Sequence, residues 1–146
     1  MRTMDDTRRP LRVGRRAWAI LAGALTGIVL SLGTDVVLHV TGVFPPWGQR
    51  VSDPLLLLAT VYRSVYGVAG SYLTARLAPD HRMAHALWLG VLGCLVSLGG
   101  AVATWNAGPA FEPHWYAVAL VVLALPTAWL GGKLGVASAP GPGPSA

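Results

Sequence analysis

The chain has 146 residues, of which 53% are hydrophobic and only 12% are charged, and its mean hydropathy is +0.54. Soluble globular domains carry roughly 25% charged residues, so this composition excludes an ordinary soluble domain and favours a small integral membrane protein. The net charge of +5 is accompanied by no nucleic-acid-binding motif, so we expect no nucleic-acid partner.

The first sixteen residues, 1–16, form a polar arm that contains six arginines. Beside a membrane span, such a basic cluster marks the cytoplasmic side and contacts anionic lipids. The apolar stretch 17–41 follows, and it is longer than the roughly 7–15-residue apolar core of a secretory signal. We therefore expect this stretch to be retained as the first transmembrane span.

The next segment, 42–53, is rich in proline and glycine and is expected to form a loop, because these residues interrupt helices. Three further apolar runs predict spans over 54–77, 83–105 and 114–134. At 1.5 Å per residue, each run is long enough to cross roughly 30 Å of hydrocarbon. The tail, 135–146, is rich in proline, glycine and serine and is expected to be disordered.

The basic residues also predict an orientation. Four spans place nine of the eleven lysines and arginines on the side of both termini and only Arg50 on the opposite side. The positive-inside rule therefore predicts an all-α bundle of four transmembrane helices with the N-terminus and the C-terminus in the cytoplasm. Indole side chains favour membrane interfaces, and four tryptophans lie near the expected ones: Trp18, Trp47, Trp105 and Trp115.

Small and polar residues recur at four-residue spacing in the first span, which places them on one helix face. They are Gly23, Gly27, Ser31, Asp35 and His39. The glycines predict close packing against another helix. An ionised Asp35 inside a span costs roughly 2.5–3.5 kcal/mol and needs a partner. Arg63 in the second span lies about 13 Å from the outer end, against about 10 Å for Asp35, which predicts an Asp35–Arg63 ion pair in the outer half of the bundle.

Tyr62 and Tyr66 flank Arg63, and their hydroxyls are expected to complete a hydrogen-bonded network with Asp35 and His39. Two interpretations of this cluster stay open. It is either a buried pair that fixes the register of two helices, or a proton or substrate site that opens outward.

The outer loops contribute Trp47, Glu112 and His114. Glu112 and His114 could meet His39 near the outer surface. Their spacing matches no metal-binding motif, so neither a metal nor a cofactor is expected. The third span carries small residues mostly along one face, which is typical of helix packing; they include Gly90, Gly93 and Ser97. No nucleotide-binding, esterase, zinc-protease or dithiol motif is present, which disfavours an enzyme.

Four stretches resemble a family of small bacterial four-span inner-membrane proteins. They are 32–53 (LGTDVVLHVTGVFPPWGQRVSD), 62–79 (YRSVYGVAGSYLTARLAP), 103–116 (ATWNAGPAFEPHWY) and 124–134 (ALPTAWLGGKL). The resemblance covers most of the chain, implies the bacterial cytoplasmic membrane, and brings no established activity or cofactor. The architecture is also similar to that of small multidrug-resistance transporters, which are dimers with an acidic residue in span one. In those proteins the acid is a glutamate placed deeper than Asp35.

These features predict a multi-pass inner-membrane protein with an intramembrane Asp/Arg/Tyr cluster. Two alternatives stay open: a small proton-coupled transporter that acts as a homodimer, and a scaffold or accessory subunit of a larger membrane complex. A transporter needs a polar site open to water at membrane depth, whereas a scaffold needs only paired charges and small-residue faces. The expected partners are the bilayer, with anionic lipids at the basic arm, and a second copy of the chain.

Overall fold

The computed structural model describes residues 9–108 and 113–138, with side chains from residue 13 onward. Four helices make up this part of the chain: α1 (Arg9–Val40), α2 (Asp53–Leu77), α3 (Arg82–Thr104) and α4 (His114–Ala137). The expected all-helical bundle is confirmed for these residues, which contain no strand. Glu112, the start of the basic arm and the end of the tail lie outside the described residues.

Two helix boundaries differ from the expected ones by more than one residue. α1 begins at Arg9 rather than at residue 17, so the second half of the expected arm is helical. Arginine and leucine favour helix, which allows the apolar span to extend into this basic segment. α4 continues to Ala137 rather than ending at residue 134. The Arg76 guanidinium donates a hydrogen bond to the carbonyl of Ser138, which ties the end of α4 to α2.

Three of the helices are long and apolar enough to cross a membrane, namely α3, α4 and residues 13–40 of α1. α2 is not one of the three, because it carries Arg63 and several hydroxyl-bearing side chains. It is instead the central helix, since it packs extensively on both α4 and α1 and also contacts α3. α4 lies between α2 and α3, while α1 packs mainly on α2.

Small residues let the helix axes come close together. A Cβ atom added to Gly70 of α2 would lie 2.6 Å from the carbonyl oxygen of Gly23 in α1, and one added to Gly23 would collide with the hydroxyl of Thr74. That hydroxyl donates to the carbonyl of Ala19 at 3.1 Å. The α1–α2 seam is therefore a close backbone contact that also carries an interhelical hydrogen bond.

The outward faces of the bundle are apolar. Large side chains are exposed along most of α1 and along the second half of α3; Val40 is 82% exposed and Val102 is 69% exposed. A contiguous apolar surface of this kind needs a cover of lipid or protein. The apolar faces and the length of three helices agree with a protein that resides in a membrane.

Candidate functional site

Asp35 and Arg63 form an ion pair between α1 and α2. The pair lies in the half of the bundle nearer the loops 41–52 and 105–113, which we call the long-loop end. Nη2 of Arg63 donates to Oδ2 of Asp35 at 2.6 Å, and the Tyr62 hydroxyl donates to Oδ1. Asp35 is 8% exposed. Both oxygens of a buried carboxylate on α1 are thus engaged by donors from α2.

The directions in which helical side chains point explain why these residues meet. Side chains lean toward the N-terminus of their own helix. α2 begins at the long-loop end, so Tyr62 and Arg63 lean toward it, whereas Asp35 on the antiparallel α1 leans away from it. The three side chains therefore converge on one level, although the two backbone positions differ slightly in depth.

The structure brings Tyr66 and His39 to other partners than the Asp35 carboxylate. The Tyr66 hydroxyl lies 2.9 Å from Oγ1 of Thr34, one residue before Asp35. Nδ1 of His39 lies 2.7 Å from the backbone carbonyl of Asp35, and its ring stacks on Trp47 with centroids 3.6 Å apart. The expected network around the carboxylate therefore contains Tyr62 alone of the two tyrosines, and His39 instead anchors the 41–52 loop.

The second histidine at the long-loop end, His114, has a tryptophan partner of its own. His114 stacks on Trp105 with ring centroids 4.1 Å apart, and its Nε2 lies 2.9 Å from the Trp105 carbonyl oxygen. His39 and His114 thus belong to two separate aromatic pairs rather than to one cluster. Among the described residues, no group of three His, Cys, Asp or Glu side chains is placed to hold a metal ion.

A cavity of about 390 Å³ lies at mid-length of the bundle, with residues from all four helices in its walls. Its lining includes every residue that the sequence assigned to helix packing: Gly23, Gly27, Ser31, Gly90, Gly93 and Ser97. These residues do not all pack in the same way. A Cβ on Gly90 would contact α4 at the carbonyl of Ala124, 3.3 Å away, whereas a Cβ on Gly93 would meet no atom within 4 Å. Part of the expected packing face of α3 therefore borders open space.

The cavity is apolar except for a few groups. Arg63 is the one charged side chain among the described residues that line it, and Asp35 is not part of the lining. Ser64 and Thr127 also line it, but their hydroxyls donate to carbonyls of their own helices, at 2.7 Å and 2.8 Å. Within the described part of the chain, no hydrogen bond engages the hydroxyls of three further lining serines, Ser31, Ser71 and Ser97.

A second ion pair lies at the opposite end of the bundle, beside the short α2–α3 connection. Nε of Arg16 donates to Oδ1 of Asp80 at 3.0 Å, and Nη2 donates to Oδ2. This bidentate hydrogen bonding lowers the pKa of Asp80 below its usual value of 3.8. Sequence reasoning missed this pair because Asp80 lies in a loop and α1 was expected to begin after Arg16.

Comparison with known proteins identifies no relative. The chain matches no protein-family model, and no curated protein or solved structure is similar to it.

Proposed function

We propose that the chain is a four-span membrane protein that binds a small molecule in its mid-length cavity, beside the Asp35–Arg63 pair. The cavity carries this proposal. Its volume of about 390 Å³ falls within the range of roughly 300–1,000 Å³ typical of small-molecule sites. Its position near the middle of all four helices corresponds to the bilayer midplane, where many membrane transporters bind their substrates.

The proposal includes α2 as the fourth span. The helix has 25 residues, which corresponds to about 38 Å at 1.5 Å per residue and suffices to cross the hydrocarbon layer. Its lower hydropathy is compatible with this position, because polar groups inside a bundle face other helices rather than lipid. Arg63, the most costly of them, is paired with Asp35.

The proposed orientation places both termini in the cytoplasm and the protein in the bacterial cytoplasmic membrane. The support is the charge distribution: Arg16, Arg76, Arg82 and Lys133 lie at the end of the bundle opposite the long loops, where the basic arm also begins. In this orientation the arm contacts anionic lipids, and the Asp35–Arg63 pair lies in the outer half of the membrane.

Binding is better supported than a pure scaffold role, because a scaffold has no need of a cavity with serine hydroxyls in its walls. Proton coupling through Asp35 is less well supported. Both of its oxygens are engaged by Arg63 and Tyr62, and it does not line the cavity. Asp35 is paired with a cation and is separated from the cavity, so we propose that the ion pair holds the wall of the site.

A cavity-filling substitution tests the proposal. Gly93 and Gly99 both lie on α3 and have no atom within 4 Å of an added Cβ, but only Gly93 lines the cavity. We expect native mass spectrometry of protein purified in mild detergent to show a bound small molecule in the wild type and in Gly99→Phe. Gly93→Phe should lose it while unfolding at a similar temperature. A wild type without bound molecule, or equal retention in all three proteins, would contradict the proposal.

A further inference from the structure

We infer that the ligand is a single-chain amphiphile with a carboxylate head, which binds at Arg63 while the apolar chain extends toward Gly23 and Gly70. This inference rests on the proposed function, because it assumes that the cavity binds a small molecule. It adds the chemical class and the direction in which the ligand lies.

The polar groups of the cavity lie mainly toward the long-loop end. Arg63, Ser31 and Ser97 each lie about ten residues or fewer, or roughly 15 Å, from the end of their helix at that side. A guanidinium presents donors only, and a hydroxyl is able to donate. A head group that accepts several hydrogen bonds therefore matches this end of the cavity.

The charge of the lining favours an acid over a neutral head. Arg63 is the one charged lining side chain among the described residues, and the structure shows Asp35 accepting from its Nη2 atom. A guanidinium has five N–H donors, and Tyr62 also lies within hydrogen-bonding reach of it. Its Nε is buried and has no acceptor within the described part of the chain. A buried donor of this kind calls for a partner, which a ligand carboxylate would supply after a small shift of the side chain.

The other end of the cavity contains Ser71 but is otherwise mainly apolar, which suits a hydrocarbon chain. Gly23 and Gly70 form its wall where α1 and α2 touch, and Leu89 of α3 closes it from the opposite side. From Arg63 to Ser71 the wall follows α2 for about 12 Å, the length of a medium acyl chain. Among the described residues, α1 packs far less on α3 than on α2, and both α1 and α3 line the cavity. The loosely packed seam between α1 and α3 gives an acyl chain a path from the surrounding lipid.

Decanoate and decanol test the inference, because they share a chain and differ in the head. Binding is measured by native mass-spectrometric titration of the full chain in mild detergent. We expect decanoate to bind about tenfold more tightly than decanol, the difference between a charge-assisted and a neutral hydrogen bond. Arg63→Lys should keep this preference and Arg63→Gln should abolish it. Gly93→Phe should weaken both ligands at least tenfold, and Gly99→Phe neither.

The outcomes separate this inference from the proposed function. Equal affinity for acid and alcohol, with both weakened by Gly93→Phe, overturns the carboxylate head and leaves a small-molecule cavity. If the wild type carries another small molecule but does not bind decanoate, the carboxylate head is likewise overturned and the small-molecule cavity remains. Binding that Gly93→Phe does not alter overturns both. If the Arg63 variants fail to fold, the double variant Ser31→Ala/Ser97→Ala keeps the ion pair; it should reduce the preference for the acid severalfold, and an unchanged preference contradicts the inference.

Discussion

The bundle contains two Asp–Arg ion pairs in different surroundings. In the pair between α1 and α2, the side chains of Asp35 and Arg63 are 12% and 34% exposed. In the pair at the opposite end, Arg16 and Asp80 are 40% and 32% exposed. The second pair has the better hydrogen-bond geometry, since two guanidinium nitrogens of Arg16 each bind a carboxylate oxygen of Asp80. Hydrogen-bond geometry alone would therefore predict that the Arg16–Asp80 pair contributes more to stability, which is the opposite of what we expect.

The surroundings decide what each pair contributes. Charges near water interact weakly and are screened by salt, so an exposed pair adds little to stability. A buried pair contributes little net attraction once desolvation is counted, but loss of one partner leaves an uncompensated buried charge. Single substitutions in the Asp35–Arg63 pair should therefore destabilise the protein strongly, whereas those in the Arg16–Asp80 pair should have small effects.

The largest effect is expected for Arg63→Ala. This change leaves the Asp35 carboxylate buried with the Tyr62 hydroxyl as its remaining side-chain donor in the described structure, and we expect a loss of about 3–5 kcal/mol in the free energy of unfolding. The measurement is denaturant unfolding in detergent, with Arg16→Ala as the matched control. A loss for Arg16→Ala as large as that for Arg63→Ala would remove the distinction between the pairs. Exchange of the charges of Asp35 and Arg63 should recover part of the expression lost in Asp35→Ala.

The close approach of α1 and α2 at Gly23 provides a second test of what holds α1 in place. A methyl group at Gly23 would collide with Thr74 and with the backbone of Gly70, so Gly23→Ala should destabilise the protein by about 1–3 kcal/mol. Gly33 is on the same helix but has no atom within 4 Å of an added Cβ. Gly33→Ala should be neutral or stabilising by up to roughly 1 kcal/mol. Equal effects of the two variants on unfolding would argue against the seam.

The two tyrosines of α2 differ in their partners and should differ in effect. Tyr62→Phe removes a hydrogen bond to a carboxylate and should cost about 1.5–3 kcal/mol, whereas Tyr66→Phe removes a neutral hydrogen bond to Thr34 and should cost about 0.5–1.5 kcal/mol. Unfolding measurements on both variants test the order. The reverse order would indicate that Tyr66, rather than Tyr62, binds the carboxylate of Asp35.

The smallest effect is expected for Asp80→Asn and should depend on pH and salt. Arg16 lowers the pKa of Asp80 in the folded protein, so the pair stabilises the fold above the ordinary aspartate pKa of 3.8. This contribution is lost as the pH falls through the lower folded-state pKa. The difference in melting temperature between wild type and Asp80→Asn should therefore be small at neutral pH and vanish in acid or at high salt. A difference that persists in acid would contradict this assignment.

Much of the helical pattern and the Asp35–Arg63 ion pair could be predicted from the sequence. Long apolar runs separated by proline and glycine define the helices, and positions counted from the loop between them place Asp35 and Arg63 at similar depth. Helix periodicity gives the face of a residue but not which of two neighbouring side chains reaches a given atom. For this reason Tyr62 and Tyr66 were not distinguished as partners of Asp35.

Features that depend on loops or on how several helices pack together could not be predicted. His39 turns to Trp47 because the 41–52 loop folds back over the end of α1, and periodicity carries no information on that path. Gly93 and Ser97 of α3 line the cavity, and no atom lies within 4 Å of a Cβ added to Gly93. In sequence, such residues look identical to those of a packed small-residue face such as Gly90.

A double-mutant cycle on Asp35 and Arg63 tests the central claim most directly. Asp35→Asn, Arg63→Gln and the double variant are compared with wild type by unfolding in detergent, and the same cycle is made for Arg16 and Asp80. We predict a coupling free energy of at least about 1.5 kcal/mol for Asp35 and Arg63, toward the upper half of the range for residues in contact. The coupling free energy between Arg16 and Asp80 should be much smaller. Equal coupling in the two cycles would contradict the claim that a buried ion pair holds α1 to α2 beside the cavity.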